Sequence, residues 1–217
     1  IKVVKGEANS KNIEVPDKMD EKFAELFGLL LGDGSLKPRS VHFYNNDEKL
    51  LKRVETLIEN LFGIKTEREY ANTVKSVKAN NKILRDLLIS LGFPEKKKSK
   101  NCYIPDKIIK NTESVLSAFL QGYYLTDGSF NRYSVEIDTS SKEMSENLVY
   151  ALSRIGVSSR LNSKDTESHK SYRVKISGEE VEKFYEETST EHEKYEKIND
   201  YISESEKHFK GVDSVEI

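Results

Sequence analysis

The sequence predicts an α+β fold built from two copies of one αββαββα unit related by a pseudo-twofold axis. Three observations predict it. A short motif occurs twice, the same succession of helical and alternating patterns follows each copy, and glycines close corresponding elements. The motif Leu26-Phe-Gly-Leu-Leu-Leu-Gly-Asp-Gly-Ser-Leu36 returns as Leu120-Gln-Gly-Tyr-Tyr-Leu-Thr-Asp-Gly-Ser-Phe130, with Leu, Gly, Asp, Gly and Ser in place and Asp127 following Asp33 by 94 positions. Internal repetition of this kind sets the architecture before any single element is assigned.

Each motif reads as a largely apolar helix ending in Asp-Gly. Gly28 and Gly32 share one face, as do Gly122 and Thr126, and small residues at that spacing let two helix backbones approach closely. The motif helices are therefore expected to pack on each other and to bring Asp33 and Asp127 together. Next, Val41–Leu50 aligns with Val135–Met144 as a strand followed by a helix start, with Asn46 or Ser140 near the N-cap. Leu50, Val54, Leu57, Ile58 and Leu61 have helical spacing, as do Met144, Leu148, Ala151, Leu152 and Ile155, and Gly63 and Gly156 end these helices. Alternating strands are expected near Lys65–Tyr70 and Thr73–Ala79, turning at Ala71-Asn72. In the second unit they are expected near Ser158–Ser163 and Ser171–Ser177, turning over Asp165–His169. Helices Asn81–Leu91 and Glu179–Glu187 close the units. The predicted organisation is an N-terminal segment (1–19), a first repeat (20–95), a linker (96–111), a second repeat (112–188) and a C-terminal helical extension (189–217).

Composition bounds the function. Charged residues make up 33 % and hydrophobic residues 36 % of 217. No run of about 18 apolar residues exists to span a membrane, and the first residues lack the apolar stretch of a secretory signal. An intracellular, cytoplasmic setting in a prokaryotic host is expected. The single cysteine, Cys102, excludes an internal disulfide and a multi-cysteine zinc site, and His42, His169, His192 and His208 have no zinc-motif spacing. A net charge of −2 argues against a nucleic-acid ligand. The distribution argues back, because acids crowd Glu179–Glu206 while cations stand at Lys96–Lys98, Lys100, Arg160, Arg173 and Lys175.

The two motifs resemble the paired LAGLIDADG dodecapeptides of homing endonucleases, and the resemblance runs over residues 20–190, closest to single-chain members of the intein or archaeal intron type. It implies a monomer that binds a long double-stranded DNA site, needs no protein partner, and breaks both strands by hydrolysis with Mg²⁺ or Mn²⁺. Asp33 and Asp127 would bind metal, with the backbone carbonyls of Gly32 and Thr126 as secondary ligands. Two carboxylates side by side repel unless protonated or neutralised. Mg²⁺ suits such a site because it keeps waters and takes few carboxylates. The two sheets would form a saddle in the major groove. Its outward positions would be Lys65, Ser76 and Lys78 in one repeat, and Ser158, Arg160, Asn162, Arg173 and Lys175 in the other, with Val157, Ser159, Leu161, Val174 and Ile176 turned inward. Lys37, Arg39 and Arg132 sit where the family's hairpins meet DNA. Tyr44, Tyr70 and Tyr133 read equally as packing residues or DNA contacts.

The family's accessory lysine is absent after the second strands, where Asn45, Asn46, Thr139 and Ser140 stand. Intein-type members carry it after the last helix of each repeat. Aligning Val77 with Val174 pairs Lys97 with Lys194 and Lys100 with Lys197, followed by Ile104-Pro105. Lys100 and Lys197 are the favoured catalytic pair, with Lys97 and Lys194 next. The acid two positions before each metal aspartate is replaced by Leu31 and Leu125, as the family allows. Ile1 is no splicing nucleophile and the end lacks His-Asn, so self-splicing is not expected of this chain. Three readings remain open: an endonuclease, a non-cleaving maturase or DNA-binding regulator of the same fold, and an interaction module that binds no nucleic acid.

Overall fold

The computed structural model describes residues 13–71, 73–165 and 170–210. The first unit runs α1 (Glu21–Asp33), β1 (Gly34–Lys37), β2 (Ser40–Tyr44), α2 (Glu48–Phe62), β3 (Glu67–Ala71), β4 (Val74–Ala79) and α3 (Lys82–Ser90). Two short helices, α4 (Lys98–Asn101) and α5 (Asp106–Ile109), occupy the linker. The second unit runs α6 (Glu113–Asp127), β5 (Gly128–Asn131), β6 (Ser134–Thr139), α7 (Lys142–Arg154), β7 (Arg160–Asp165), β8 (Lys170–Ser177) and α8 (Glu180–Thr188), and α9 (Glu193–Lys210) follows.

Local chemistry starts each motif helix. The Asp20 side chain accepts the Phe23 amide at 2.9 Å, and Thr112 Oγ1 accepts that of Val115. Two four-stranded antiparallel sheets form with the same order, β1-β2-β4-β3 and β5-β6-β8-β7. Their registers correspond, Gly34 opposite Phe43 and Gly128 opposite Ile137. The predicted α+β class and the two repeats are thus observed.

The α1–α6 contact is made by backbone rather than by side chains. A methyl group on Gly28 would run into the Phe119 carbonyl oxygen and lie 2.9 Å from the Tyr123 amide. One on Gly122 would run into the Glu25 carbonyl oxygen and lie 3.1 Å from the Leu29 amide. One on Gly32 would collide with the Thr126 side chain. Around this seam Phe23, Leu26, Leu29 and Leu30 of α1 and Leu116, Phe119, Leu120 and Tyr124 of α6 are fully buried, in one core shared by both units.

Several boundaries depart from the sequence reading. The caps of α2 and α7 are Asp47 and Ser141, one residue beyond Asn46 and Ser140. Asp47 Oδ1 accepts the amides of Lys49 and Leu50, and Ser141 Oγ that of Met144, whereas Asn46 accepts the Lys75 amide across the sheet. Strand β7 starts at Arg160 rather than Ser158. Gly156 is left-handed and the Val157 amide still bonds Leu152 O, so the chain is leaving α7 there. Leu161 shares the buried face with Val174, yet is 41 % exposed because β7 is an edge strand. Strand β3 starts at Glu67, leaving Lys65 before it. The readings placed on residues 1–12, on Asn72, on the 166–169 turn and on residues 211–217 lie outside the described residues.

Gly122→Ala should therefore destabilise the protein by about 1–3 kcal/mol or more, because the new methyl meets backbone that cannot yield. Urea denaturation measures this, and an unchanged midpoint would contradict the close seam.

Candidate metal and nucleic-acid site

Asp33 and Asp127 are the last residues of α1 and α6. Helix C-termini carry unsatisfied carbonyls and partial negative charge, so a carboxylate there is disfavoured. Two lysines answer that charge. Lys98 Nζ, from α4, donates to Gly32 O and, at 2.7 Å, to Gly34 O. Lys194 Nζ, from α9, donates to Gly128 O at 2.8 Å, Thr126 O at 3.3 Å and Tyr124 O at 3.4 Å. Each ammonium thus closes one motif helix, and both sense both aspartates. The result is a compact set of two anions and two cations at one end of the seam.

The carboxylates are held differently. Asn45 Nδ2 donates to Asp33 Oδ2 at 2.7 Å, while the Tyr123 hydroxyl hydrogen-bonds Asp127. Burial raises the pKa of both aspartates above the ordinary carboxylate range. Hydrogen bonds and the two lysines oppose the rise, and the charge of Asp33 adds to it at Asp127. Burial likewise lowers Lys98 and Lys194 against the pull of the aspartates. A cleft of about 270 Å³ opens beside Asp127, lined in part by Lys98, Cys102, Tyr123 and Thr139.

These residues suit a hard divalent cation. Among the described residues no three His, Cys, Asp or Glu side chains cluster for a metal, so the ends of α1 and α6 offer two carboxylates, Asp33 and Asp127. That is the donor set Mg²⁺ accepts when waters and phosphate oxygens complete its shell. The Gly32 and Thr126 carbonyls already take ammonium protons, but each oxygen has a second lone pair.

Of the four lysines singled out from the sequence, the structure brings only Lys194 to the site. Lys97, Lys100 and Lys197 are exposed, and Lys98, which does reach the site, is not among the candidates that the sequence offers. The Val77–Val174 correspondence holds, since Val77 lies opposite Phe43 and Val174 opposite Ile137. The connections to α4 and α9 then differ in length, so Lys98 pairs with Lys194 at 96 positions. A run of three lysines offers three registers, and only packing selects one of them.

The outward faces of the sheets carry the candidate nucleic-acid contacts, but not as a bare basic surface. Lys78 pairs with Glu69 at 2.9 Å, and Ser76 is buried between neighbouring strands. Arg173 forms a two-pronged pair with Asp138 and a 2.9 Å contact with Glu136, which also lies 3.6 Å from Lys175. Glu69, Glu136 and Asp138 were not foreseen, because period-two reading assigns a face but no partner. Arg160 and Asn162 are exposed on the same face. Ser158 lies before the strand, its amide on Glu180. Lys37, Arg39, Lys65 and Arg132 are exposed, with Lys37, Arg39 and Arg132 at or beside hairpin turns. Arg132 and Tyr133 both have positive φ, 46° and 66°, a strained tip for residues other than glycine. Tyr133 is 69 % exposed, with its ring centroid 5.5 Å from that of Tyr201 in α9. Tyr70 is also exposed, and Tyr44 stacks on His42.

The sequence family described as "LAGLIDADG-like domain" matches residues 20–100 and 114–189. The chain belongs to this family. It is 37 % identical over 171 residues to an A-type ATP synthase subunit from Pyrococcus abyssi, covering 78 % of this chain and 17 % of that protein. It is 35 % identical over 173 residues to the replication factor C small subunit of Methanocaldococcus jannaschii, covering 71 % and 9 %. The chain therefore spans under a fifth of these relatives. Among solved structures, mesophilic variants of the homing endonuclease I-DmoI superpose with a TM-score of 0.63 at 19 % identity, covering 80 % of this chain and 98 % of theirs. I-DmoI in complex with DNA and Mn gives 0.62 at 19 %, covering 81 % and 99 %. Full-length DUF199/WhiA from Thermatoga maritima gives 0.61 at 16 %, covering 88 % and 63 %. These likenesses establish the LAGLIDADG fold.

The raised aspartate pKa has a consequence for stability. The folded family member holds these protons more tightly than the unfolded chain does. The associated stability is therefore present below about pH 4 and lost as pH rises through the raised values. Asp127→Asn, which mimics the neutral acid, should raise Tm at pH 7, and the gain should vanish below about pH 4. Scanning calorimetry at the two pH values checks this; a lower Tm of the variant at pH 7 would contradict it.

Proposed function

We propose that the chain is a site-specific endonuclease that breaks both strands of a long DNA target by phosphodiester hydrolysis with Mg²⁺ or Mn²⁺. The observation that carries this is the pair of partly buried carboxylates at the ends of two tightly packed helices, each flanked by a half-buried ammonium. Holding four charges out of water costs stability, and such perturbed groups concentrate where chemistry is done. Asp33 and Asp127 would hold the metal, with Gly32 and Thr126 carbonyls beside them. Bound metal supplies Lewis acidity and an activated water. Lys98 and Lys194 would offset the charge that builds on the phosphate oxygens, one for each strand. Asn45 and Tyr123 would orient the carboxylates. Lys97, Lys100 and Lys197 are left as surface cations.

DNA would lie along the two sheets. Lys37, Arg39, Lys65 and Arg132 would meet the backbone at the rims. Lys78, Arg160, Asn162, Arg173 and Lys175 would read base edges, with Ser158 at the margin, whereas Ser76, expected among them, is buried and packs within the sheet. Arg and Lys favour guanine and Asn favours adenine, whereas the interleaved carboxylates accept from cytosine. Matching segments occur within proteins named for an ATP synthase, a replication factor, a translation initiation factor and a DNA polymerase. A module found within such different hosts supports an intein-borne endonuclease, with units at 20–95 and 112–188 and α9 as an extension that delivers Lys194. The protein would act as a monomer in the cytoplasm. The likeness to WhiA supports a second reading, a DNA-binding protein that does not cut.

A randomised plasmid library incubated with Mg²⁺ tests the proposal. The chain should make discrete double-strand breaks, Asp33→Asn and Asp127→Asn should abolish them, and Lys98→Met or Lys194→Met should slow them on the order of 10²-fold. DNA binding without cutting would favour the second reading.

A further inference from the structure

His192 and Asp47 lie 145 positions apart, Asp47 at the start of α2 in the first unit and His192 just before α9 in the C-terminal extension. Yet His192 is 3 % exposed, and its Nε2 stands 2.8 Å from Asp47 Oδ2. Its Nδ1 accepts the Lys194 amide at 3.2 Å. An Nδ1 that accepts cannot carry a proton, so the ring is the Nε2–H form and donates to Asp47. Asp47 in turn donates its own amide to Asn45 Oδ1 at 2.8 Å, and Asn45 Nδ2 donates to Asp33 Oδ2 at 2.7 Å. Lys194 Nζ reaches the carbonyls on either side of Asp127.

We infer that His192 and Asp47 are positioning residues that join the two halves of the site: a hydrogen-bonded chain, Asp33–Asn45–Asp47–His192–Lys194, crosses the pseudo-twofold axis and sets Lys194 against the end of α6. This rests on the nuclease reading above. The corresponding lysine, Lys98, is tied in by different residues: Thr139 Oγ1 accepts the Ser141 amide at 3.2 Å, Ser141 Oγ donates to Cys102 O at 2.6 Å, and the Cys102 amide bonds Lys98 O at 2.9 Å. It is carried on the four-residue helix α4, whose preceding residue, Lys97, is left-handed. Asn45 Oδ1 and Nδ2, both carboxylate oxygens of Asp47 and both ring nitrogens of His192 have partners, and networks of that kind fix one geometry because any member left unpaired in a dry place is costly. The two lysines are thus held by separate networks, and the one that runs through His192 ends on Lys194. Its loss should unbalance the two strand cuts instead of slowing both alike.

The test uses a plasmid carrying the target recovered from the library, with each strand labelled separately. His192→Ala should slow one strand about 10-fold more than the other, so that nicked circles accumulate. The slow strand should be the one slowed by Lys194→Met, and the opposite of the one slowed by Lys98→Met. His192→Gln, which restores an N–H toward Asp47, should recover part of the rate. Asp47→Asn keeps the helix cap but presents a donor to a donor, and should nick as His192→Ala does. Equal slowing of both strands, or slowing of the Lys98 strand, would overturn the inference. A second readout needs no cutting. In the metal-free protein the His192 ring ¹⁵N shifts should report a protonated Nε2 and a bare Nδ1, and the reverse would overturn the strap. Wild-type protein that cuts no DNA while showing the expected ring shifts would instead count against the nuclease reading.

Discussion

Backbone against backbone is the contact on which everything else here depends. Gly28 and Gly122 let α1 and α6 meet with no side chain between them, the Gly28 Cα facing the Phe119 carbonyl and the Gly122 Cα facing that of Glu25. Two helices brought that close end side by side, and each ends in aspartate. The separation of the carboxylates is thus set by packing in the core, not by loops. Core packing is the most rigid scaffold a small protein can offer.

That placement creates an electrostatic problem, and the fold solves it with parts from outside the repeated unit. The ends of α1 and α6 accumulate negative charge from both side chain and helix, in a place where water is scarce. Lys98 comes from the linker and Lys194 from the C-terminal helix, so the segments that look like connectors complete the site. Neither carboxylates nor ammoniums reach their ordinary pKa, because burial works against both charged forms. The cluster stores unfavourable energy that a bound cation and a phosphate would relieve. The sheet faces follow the same logic, with Arg173 held by Asp138 and Glu136 until something exchanges for the carboxylates.

The sequence was informative wherever a feature is repeated or periodic. The Gly-x-x-x-Gly and Gly-x-x-x-Thr faces, the terminal aspartates, the succession of strands and most helices could be read from spacing alone, because both units impose the same constraint on different residues. What could not be read depends on unrepeated contacts. The Lys98 register is invisible within Lys96–Lys98, since all three have one chemistry. The Asn45–Asp33 and Tyr123–Asp127 bonds differ between the halves, so comparing one repeat with the other conceals them. His192 looked like one scattered histidine among four, and its partner Asp47 like one acid in a polar helix start. Glu69, Glu136 and Asp138 alternate with cations across strands rather than along the chain, where a pattern would show.

The measurement that bears most directly on the account is titration of the ¹⁵N-labelled protein with Mn²⁺, followed by amide line broadening. A cation held between Asp33 and Asp127 should broaden the Gly34 and Gly128 amides first, and the double variant Asp33→Asn, Asp127→Asn should lose that effect. Broadening that begins instead along the acidic surface of α8 and α9, and persists in the double variant, would contradict the assignment of the metal to the paired helix ends.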